Sequence, residues 1–155
     1  MDWRSNTYNS YAFRIVKQTM QTKVFLSGAI EEVGIFAHGW RNKAVKLLAA
    51  RGFKAVNPMD YALEEQDCEA KEIVSKNMFL QKSCDLILVE YTIPNRAYIG
   101  TDFEMTWAYM NNQPVITFAD SSYVNRVYLN FLSTKVASSL EDAVEYIANT
   151  YPSTK

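Results

Sequence analysis

The carboxylate most suggestive of chemistry in this 155-residue sequence lies in the segment Tyr98-Ile-Gly-Thr-Asp-Phe-Glu104. Gly100 permits close approach of the backbone, Thr101 stands where a helix N-cap would be, and Glu104 follows in what reads as the first helical turn. A carboxylate there feels the positive end of the helix, which favours its ionised form and readies it as a nucleophile. The same Thr-x-x-Glu spacing is also that of a capping box, in which Glu104 folds back onto the Thr101 amide. The two roles are compatible, and the pattern alone does not choose.

Asn77 is the second unusual residue. Ala70, Ile73, Leu80 and Cys84 share its helical stripe, so its amide points into or beside the core. An unpaired buried amide costs roughly 1–3 kcal/mol, so Asn77 needs a partner, either a neighbouring loop or a ligand. Trp40 and Arg41 open a helix beside Gly39. An indole can stack on a flat base and a guanidinium can pair with an anion, or the two can be ordinary packing and a solvated charge. His38 reads as a loop histidine, Cys68 as a helix-surface thiol and Cys84 as a core thiol.

These side chains need a scaffold, and the surrounding text alternates strand and helix signals. Val24-Phe25-Leu26 is a short apolar run closed by Ser27-Gly28, a buried strand entering a turn. After a loop through Gly34 and Gly39, Trp40, Ala44, Leu47 and Leu48 fall on one helical face, which Arg51-Gly52 ends. Phe53 to Asn57 is a second strand, stopped by Pro58. A helix is expected over about 68–83. Leu86-Ile87-Leu88-Val89 then has the unbroken apolar character of a central parallel strand covered on both faces. A loop from Tyr91 to Gly100, a helix from Asp102 to about Asn112 and a strand over Pro114–Phe118 follow. Residues 119–134 read as irregular, and Lys135–Ala137 as a short fifth strand. The last helix carries Leu140, Ala143, Val144, Ile147 and Ala148 on one face, with Ser138 and Glu141 spaced as a capping box.

This alternation predicts an α/β three-layer sandwich with a four- or five-stranded, mostly parallel sheet, flavodoxin- or Rossmann-like. Ligands of such sheets bind at the carboxyl ends of the strands. Those ends are Ser27 and Gly28, then Asn57 and Asp60, then Glu90 and Tyr91, and the loop over residues 94–101. Residues 23–155 form the domain. Residues 1–22 are an N-terminal extension whose Trp3, Tyr8, Tyr11 and Phe13 are expected to pack in part on the domain or on a neighbouring subunit.

Composition removes other classes. With 48% apolar and 14% aromatic residues the chain can bury a core. Sixteen Lys and Arg against seventeen Asp and Glu give no support to a non-specific nucleic-acid binder, which needs excess cations to displace counterions from phosphate. Two cysteines and one histidine are too few for a disulfide scaffold or an unaided zinc cage. No segment is apolar for long enough to cross a bilayer, and no signal peptide opens the sequence, so a cytoplasmic location is expected.

Four pieces in order resemble the nucleoside 2-deoxyribosyltransferase family and its relatives that hydrolyse 2′-deoxynucleoside 5′-monophosphates. They are Val24-Phe-Leu-Ser-Gly28, Gly52-Phe-Lys-Ala-Val-Asn-Pro58, Asn77 with Asp85 eight residues on, and Gly100-Thr-Asp-Phe-Glu104 followed by Ala108-Tyr109 and Gln113-Pro-Val-Ile116. The resemblance runs from about Lys23 to Tyr151. It implies that Glu104 attacks the anomeric carbon, displaces the base and holds the sugar as an ester that a second base or water resolves, the two-displacement logic of a retaining glycosidase. The strand ends and the Trp40–Arg41 pair supply the expected substrate contacts, Ser27, Gly28, Trp40, Arg41, Asn57, Asp60, Tyr91, Tyr98, Gly100 and Thr101, and the resemblance sets Asn77 near the departing base. No metal or organic cofactor is implied. The expected partner is a small nucleoside or nucleotide, in a homo-oligomer, dimer or higher, whose sites are often completed by a neighbouring subunit.

The sequence departs from that family twice. Transferases of this type usually carry Asp where Asn77 and Tyr98 stand. Asn cannot deliver a proton at neutral pH, so protonation of the leaving base is unassigned among Asp60, Asp85 and Asp102, with Asp85 expected at the far end of the sheet. Loss of a carboxylate at Tyr98 relieves repulsion toward a 5′-phosphate, and Arg96 is a candidate anion partner. Beside transfer and hydrolysis stand two other classes: a nucleotide-binding module without turnover, and a plain interaction protein using its aromatic N-terminus and the Tyr123–Phe131 segment.

Overall fold

The computed structural model describes residues 20–61 and 68–154. The expectation for the aromatic N-terminal extension falls largely on residues 1–19 and lies outside the described residues. In chain order the elements are β1 (Lys23–Ser27), α1 (Ile35–Ala50), β2 (Lys54–Val56), a 3₁₀ turn (Pro58–Tyr61), α2 (Ala70–Lys82), β3 (Leu86–Tyr91), α3 (Ile99–Met110), β4 (Val115–Ala119), α4 (Val127–Leu132), β5 (Lys135–Ala137) and α5 (Leu140–Thr150).

All five strands are parallel, in the order β2-β1-β3-β4-β5. The winding reverses between β1 and β3, which lie side by side with Val24 opposite Leu86 and Ser27 opposite Val89. A crevice opens at the carboxyl edge of such a switch point. Alternating residues of β1 feed two cores. Val24 and Leu26 pack with Trp40, Ala44 and Leu48 of α1 and Ala143 and Ile147 of α5. Phe25 packs on the opposite face with Leu80, Met105, Ala108 and Leu129. The unbroken apolar run of β3 follows from this two-sided cover.

Several local expectations need correction. Helix α1 begins at Ile35, so Gly39 and His38 lie inside it rather than in a loop, and both are exposed. Added space around Gly39 is open, so the helix tolerates it at the usual propensity cost of about 1 kcal/mol. Helix α2 begins at Ala70, where Glu69 and Glu72 form a reciprocal capping box. Residues 119–134 include the short helix α4. The cap of α5 is Ser139, which accepts from Asp142 N at 3.1 Å. Ser138 donates instead to the Asp142 carboxylate at 2.8 Å, and Glu141 pairs with Lys43. Among the described residues no helix is long and apolar enough to cross a membrane.

Candidate active site

Glu104 reaches the carboxyl edge of the sheet from α3, and Ser27, the last residue of β1, donates its hydroxyl to Glu104 Oε2. The capping box expected at Thr101 and Glu104 does not form. Tyr98 is the N-cap and gives no side-chain cap bond, while Thr101 is buried inside the helix. The helix starts early because the Tyr98 hydroxyl is anchored, donating to Glu90 at 2.8 Å and accepting from Ile93 N at 3.0 Å. Glu104 therefore stands in the second turn, where the helix terminus no longer favours its charge. Burial pushes its carboxyl up to about 7, and the Ser27 bond and the Arg41 charge oppose that rise.

The backbone of Glu104 is also held. Gln81 of α2, fully buried, donates to the Glu104 carbonyl at 2.9 Å and to Gln113 Oε1 at 3.2 Å. Gln113 returns bonds to the carbonyls of Gln81 and Cys84 at 3.1 and 2.8 Å. Sequence reading missed Gln81. Its signal was the spacing of four from Asn77, which puts two amides on one face of α2.

Behind the site lies a second buried carboxylate, Glu90, at the end of β3. It accepts from Ala29 N at 3.3 Å, from Thr92 N, from Thr92 Oγ1 at 2.6 Å and from Tyr98. Gly28 is required here by space. A Cβ would stand 2.9 Å from both Glu90 Cβ and the Trp40 ring.

In front of Glu104 opens a cavity of about 510 Å³, within the size range of small-molecule sites. Its wall includes Asn77 and Lys76 of α2, Arg96 and Tyr98 of the loop before α3, and Thr101 and Glu104. Asn77 Oδ1 is buried there without a hydrogen-bond partner among the described residues. Of the two kinds of partner its sequence context demanded, no loop donor among the described residues reaches that oxygen.

The sequence matches the nucleoside 2-deoxyribosyltransferase family over residues 28–140, a span that holds Arg41, Asn77, Glu90, Tyr98 and Glu104. The chain belongs to that family.

The fold agrees with solved structures. A 2-deoxyribosyltransferase of Bacillus psychrosaccharolyticus superposes with a TM-score of 0.67 at 17% identity, over 81% of this chain and 92% of that one. A 2-deoxyribosyltransferase of Leishmania mexicana gives 0.67 at 16% identity, over 84% and 99%. A CMP N-glycosidase of Clostridium botulinum gives 0.57 at 14% identity, over 84% and 100%. No curated protein matches the chain by sequence.

In this deoxyribosyltransferase-family chain, Gly28, Arg41, Asn77, Tyr98, Gly100, Thr101 and Glu104 meet at the cavity wall, and Ser27 joins them through its bond to Glu104. Four other expected substrate contacts are not in that wall. Trp40 packs edge-on against Phe118 at 5.5 Å in the core on the other face of the sheet. Asn57 and Asp60 bond to each other at 3.0 Å in the 3₁₀ turn. Tyr91 is buried, stacked on Tyr98, and donates to Asp102. Arg41 is fully buried, so it is neither solvated nor free to meet a ligand anion.

Of the carboxylates considered for protonating the base, Asp60 and Asp102 are engaged as described. Asp85 accepts from Lys23 N at 2.8 Å at the opposite edge of the sheet, the end expected for it. Cys68 is half-buried just ahead of α2, and burial pushes the Cys84 thiol up to about 11. No group of three or more His, Cys, Asp or Glu side chains that could hold a metal converges among the described residues.

Proposed function

We propose that this chain breaks the N-glycosidic bond of a 2′-deoxynucleoside or its 5′-monophosphate, with Glu104 as nucleophile. The observation that carries the reading is a buried carboxylate, oriented by Ser27, in the wall of a cavity of nucleoside size at the switch point of the sheet. Family membership supports the reaction class.

In the first step a Glu104 oxygen bonds the anomeric carbon as the carbon–nitrogen bond breaks, and the base leaves with the electron pair and takes up a proton from solvent. In the second step water or an incoming base attacks the same carbon and gives up a proton to solvent, the ester bond breaks and the carboxylate returns. Two inversions retain configuration. Asn77 faces the cavity with an unpartnered acceptor suited to an N–H of the base, and as an amide it orients the base without supplying the proton.

The monophosphate is favoured over the nucleoside by a specific feature. Lys76 and Arg96 both line the cavity, and their hydrogen bonds go to backbone carbonyls, Pro58 O at 3.3 Å and Glu31 O, which leave their charge for an anion. The functional unit is proposed to be a cytoplasmic homo-oligomer. Ile73, Val74, Ile99 and Phe103 are apolar, exposed and set in the wall of the cavity, a surface suited to cover by another copy.

The test is chromatography of deoxynucleosides and their 5′-monophosphates incubated with the protein, with and without a foreign free base. Release of base is expected, and the appearance of the exchanged nucleoside or nucleotide identifies transfer. No base release from any of these substrates contradicts the proposal.

A further inference from the structure

Ser27 at the end of β1 and the two residues after it together hold three buried charged side chains. Ser27 donates to Glu104, Gly28 and Ala29 offer their carbonyls to Arg41, and Ala29 N donates to Glu90. Arg41 is the hub. Its Nη1 donates to Ala29 O at 3.2 Å and Ala37 O at 2.9 Å, and its Nη2 to Gly28 O at 2.9 Å. The guanidinium lies 4.5 Å from the Trp40 ring centroid, and Nε is buried with no partner among the described residues.

These acceptors are neutral, so they orient the cation without cancelling its charge. A side chain kept only to fill this volume would not retain a buried unpaired donor, since an apolar residue avoids that cost. Of the two carboxylates whose field Arg41 feels, Glu90 is saturated with donors, whereas among the described residues Glu104 is held by Ser27 alone.

We propose that Arg41 is a positioning residue for Glu104: through the Gly28 and Ala29 carbonyls it fixes the loop that aims Ser27 at the carboxylate, and its buried charge favours the ionised nucleophile. This rests on the reading of Glu104 as nucleophile. The same charge aids departure of Glu104 as a carboxylate when the ester is resolved. Burial lowers Arg41 to about 10, so it stays cationic at neutral pH. The other charged groups around the site are Glu90 on β3, Lys76 on α2, and Arg96 and Glu31 on the flanking loops. Arg41 is the one whose charge acts on Glu104.

The experiment compares pH–rate profiles for base release in wild type, Arg41→Gln and Arg41→Lys, together with carbon-13 titration of the Glu104 carboxyl. In Arg41→Gln the acid limb moves upward from about 7, so the loss at pH 6.5 exceeds the loss at pH 9 by about tenfold. Arg41→Lys keeps the charge but drops the carbonyl bonds. With the loop no longer held, Ser27 loses its aim, so the limb moves up about as far as in Ser27→Ala and less than in Arg41→Gln, with KM little changed.

A uniform loss at every pH in Arg41→Gln, a limb in Arg41→Lys that moves further than in Ser27→Ala, or a wild-type rate profile in Arg41→Lys overturns the proposal. If Arg41→Gln does not fold, Arg41→Lys alone still decides between these outcomes. If wild type releases no base, the catalytic reading fails, yet the carboxyl titration still reports whether Arg41 governs Glu104.

Discussion

Two glutamates end within one small region of this molecule, and they are treated in opposite ways. Glu90, at the tip of β3, is fully buried and accepts from Ala29, from both the amide and hydroxyl of Thr92, and from Tyr98. Glu104, in the helix that follows, accepts from Ser27 alone among the described residues and faces a cavity. Donors that surround a carboxylate replace the water it lost, and the group becomes structural. A carboxylate buried with too few donors stays reactive, and burial pushes Glu104 up to about 7. The contrast separates a residue that holds the β3–α3 loop from one poised for chemistry.

The largest effect that sharpens this contrast is on turnover. Glu104→Ala lowers kcat/KM for base release by about a thousandfold or more, because no other side chain takes over as nucleophile. Steady-state chromatography checks it, and a variant retaining a tenth of the activity breaks the contrast.

Next is stability, with opposite signs for the two residues. In Glu104 the folded carboxyl titrates near 7, above its ordinary 4.5. Its contribution is fully present below pH 4.5 and is lost as pH rises through 7, since burying the ionised form is the costly state. Glu104→Gln removes that cost and stabilises the fold by up to about 3 kcal/mol at pH 8, with no gain at pH 4. Urea melts at the two pH values measure the difference. Glu90→Gln instead sets an amide N–H₂ among donors and destabilises by about 2 kcal/mol at neutral pH, seen as a lower urea midpoint.

The smallest effect is that of Ser27→Ala. Losing its hydroxyl removes a bond that holds Glu104 down, so the acid limb of the rate profile moves upward and the rate at pH 6.5 falls about fivefold while that at pH 9 changes little. An unchanged profile would mean that Ser27 does not act on the carboxylate.

How far the sequence exposes this arrangement varies with the physical signal. Leu86–Val89 declares a central parallel strand because both its faces are covered, and Ser27-Gly28 declares the turn at the switch point. The resemblance finds Glu104. Its environment is another matter, since Thr101-x-x-Glu104 reads the same whether or not a capping box forms. The outcome depends on where Tyr98 is anchored, by Glu90 and Ile93, a tertiary fact. Glu90 itself looks like any glutamate leaving a strand, because its donors come from Ala29, sixty-one residues earlier, and from a loop without a pattern. Trp40 reads as a ligand contact because the sequence pattern opens α1 only at Trp40, after a loop through Gly39; the helix starts at Ile35, and the ring packs against Phe118. Arg41 shows the limit most plainly. A cation on a helix beside a glycine reads as solvent-exposed, and nothing local marks it as a buried ligand of three backbone carbonyls.

The central claim is that Glu104 forms a bond to the sugar. Intact-mass measurement after incubation with a slow 2′-fluoro-2′-deoxynucleoside 5′-monophosphate, and with the matching nucleoside, tests it directly. A mass increase of one fluorinated sugar, with its 5′-phosphate when the monophosphate is used, is expected in wild type, located by peptide mapping to Glu104 and missing from Glu104→Ala. Base release by wild type with no adduct, or an adduct that persists in Glu104→Ala, would contradict it.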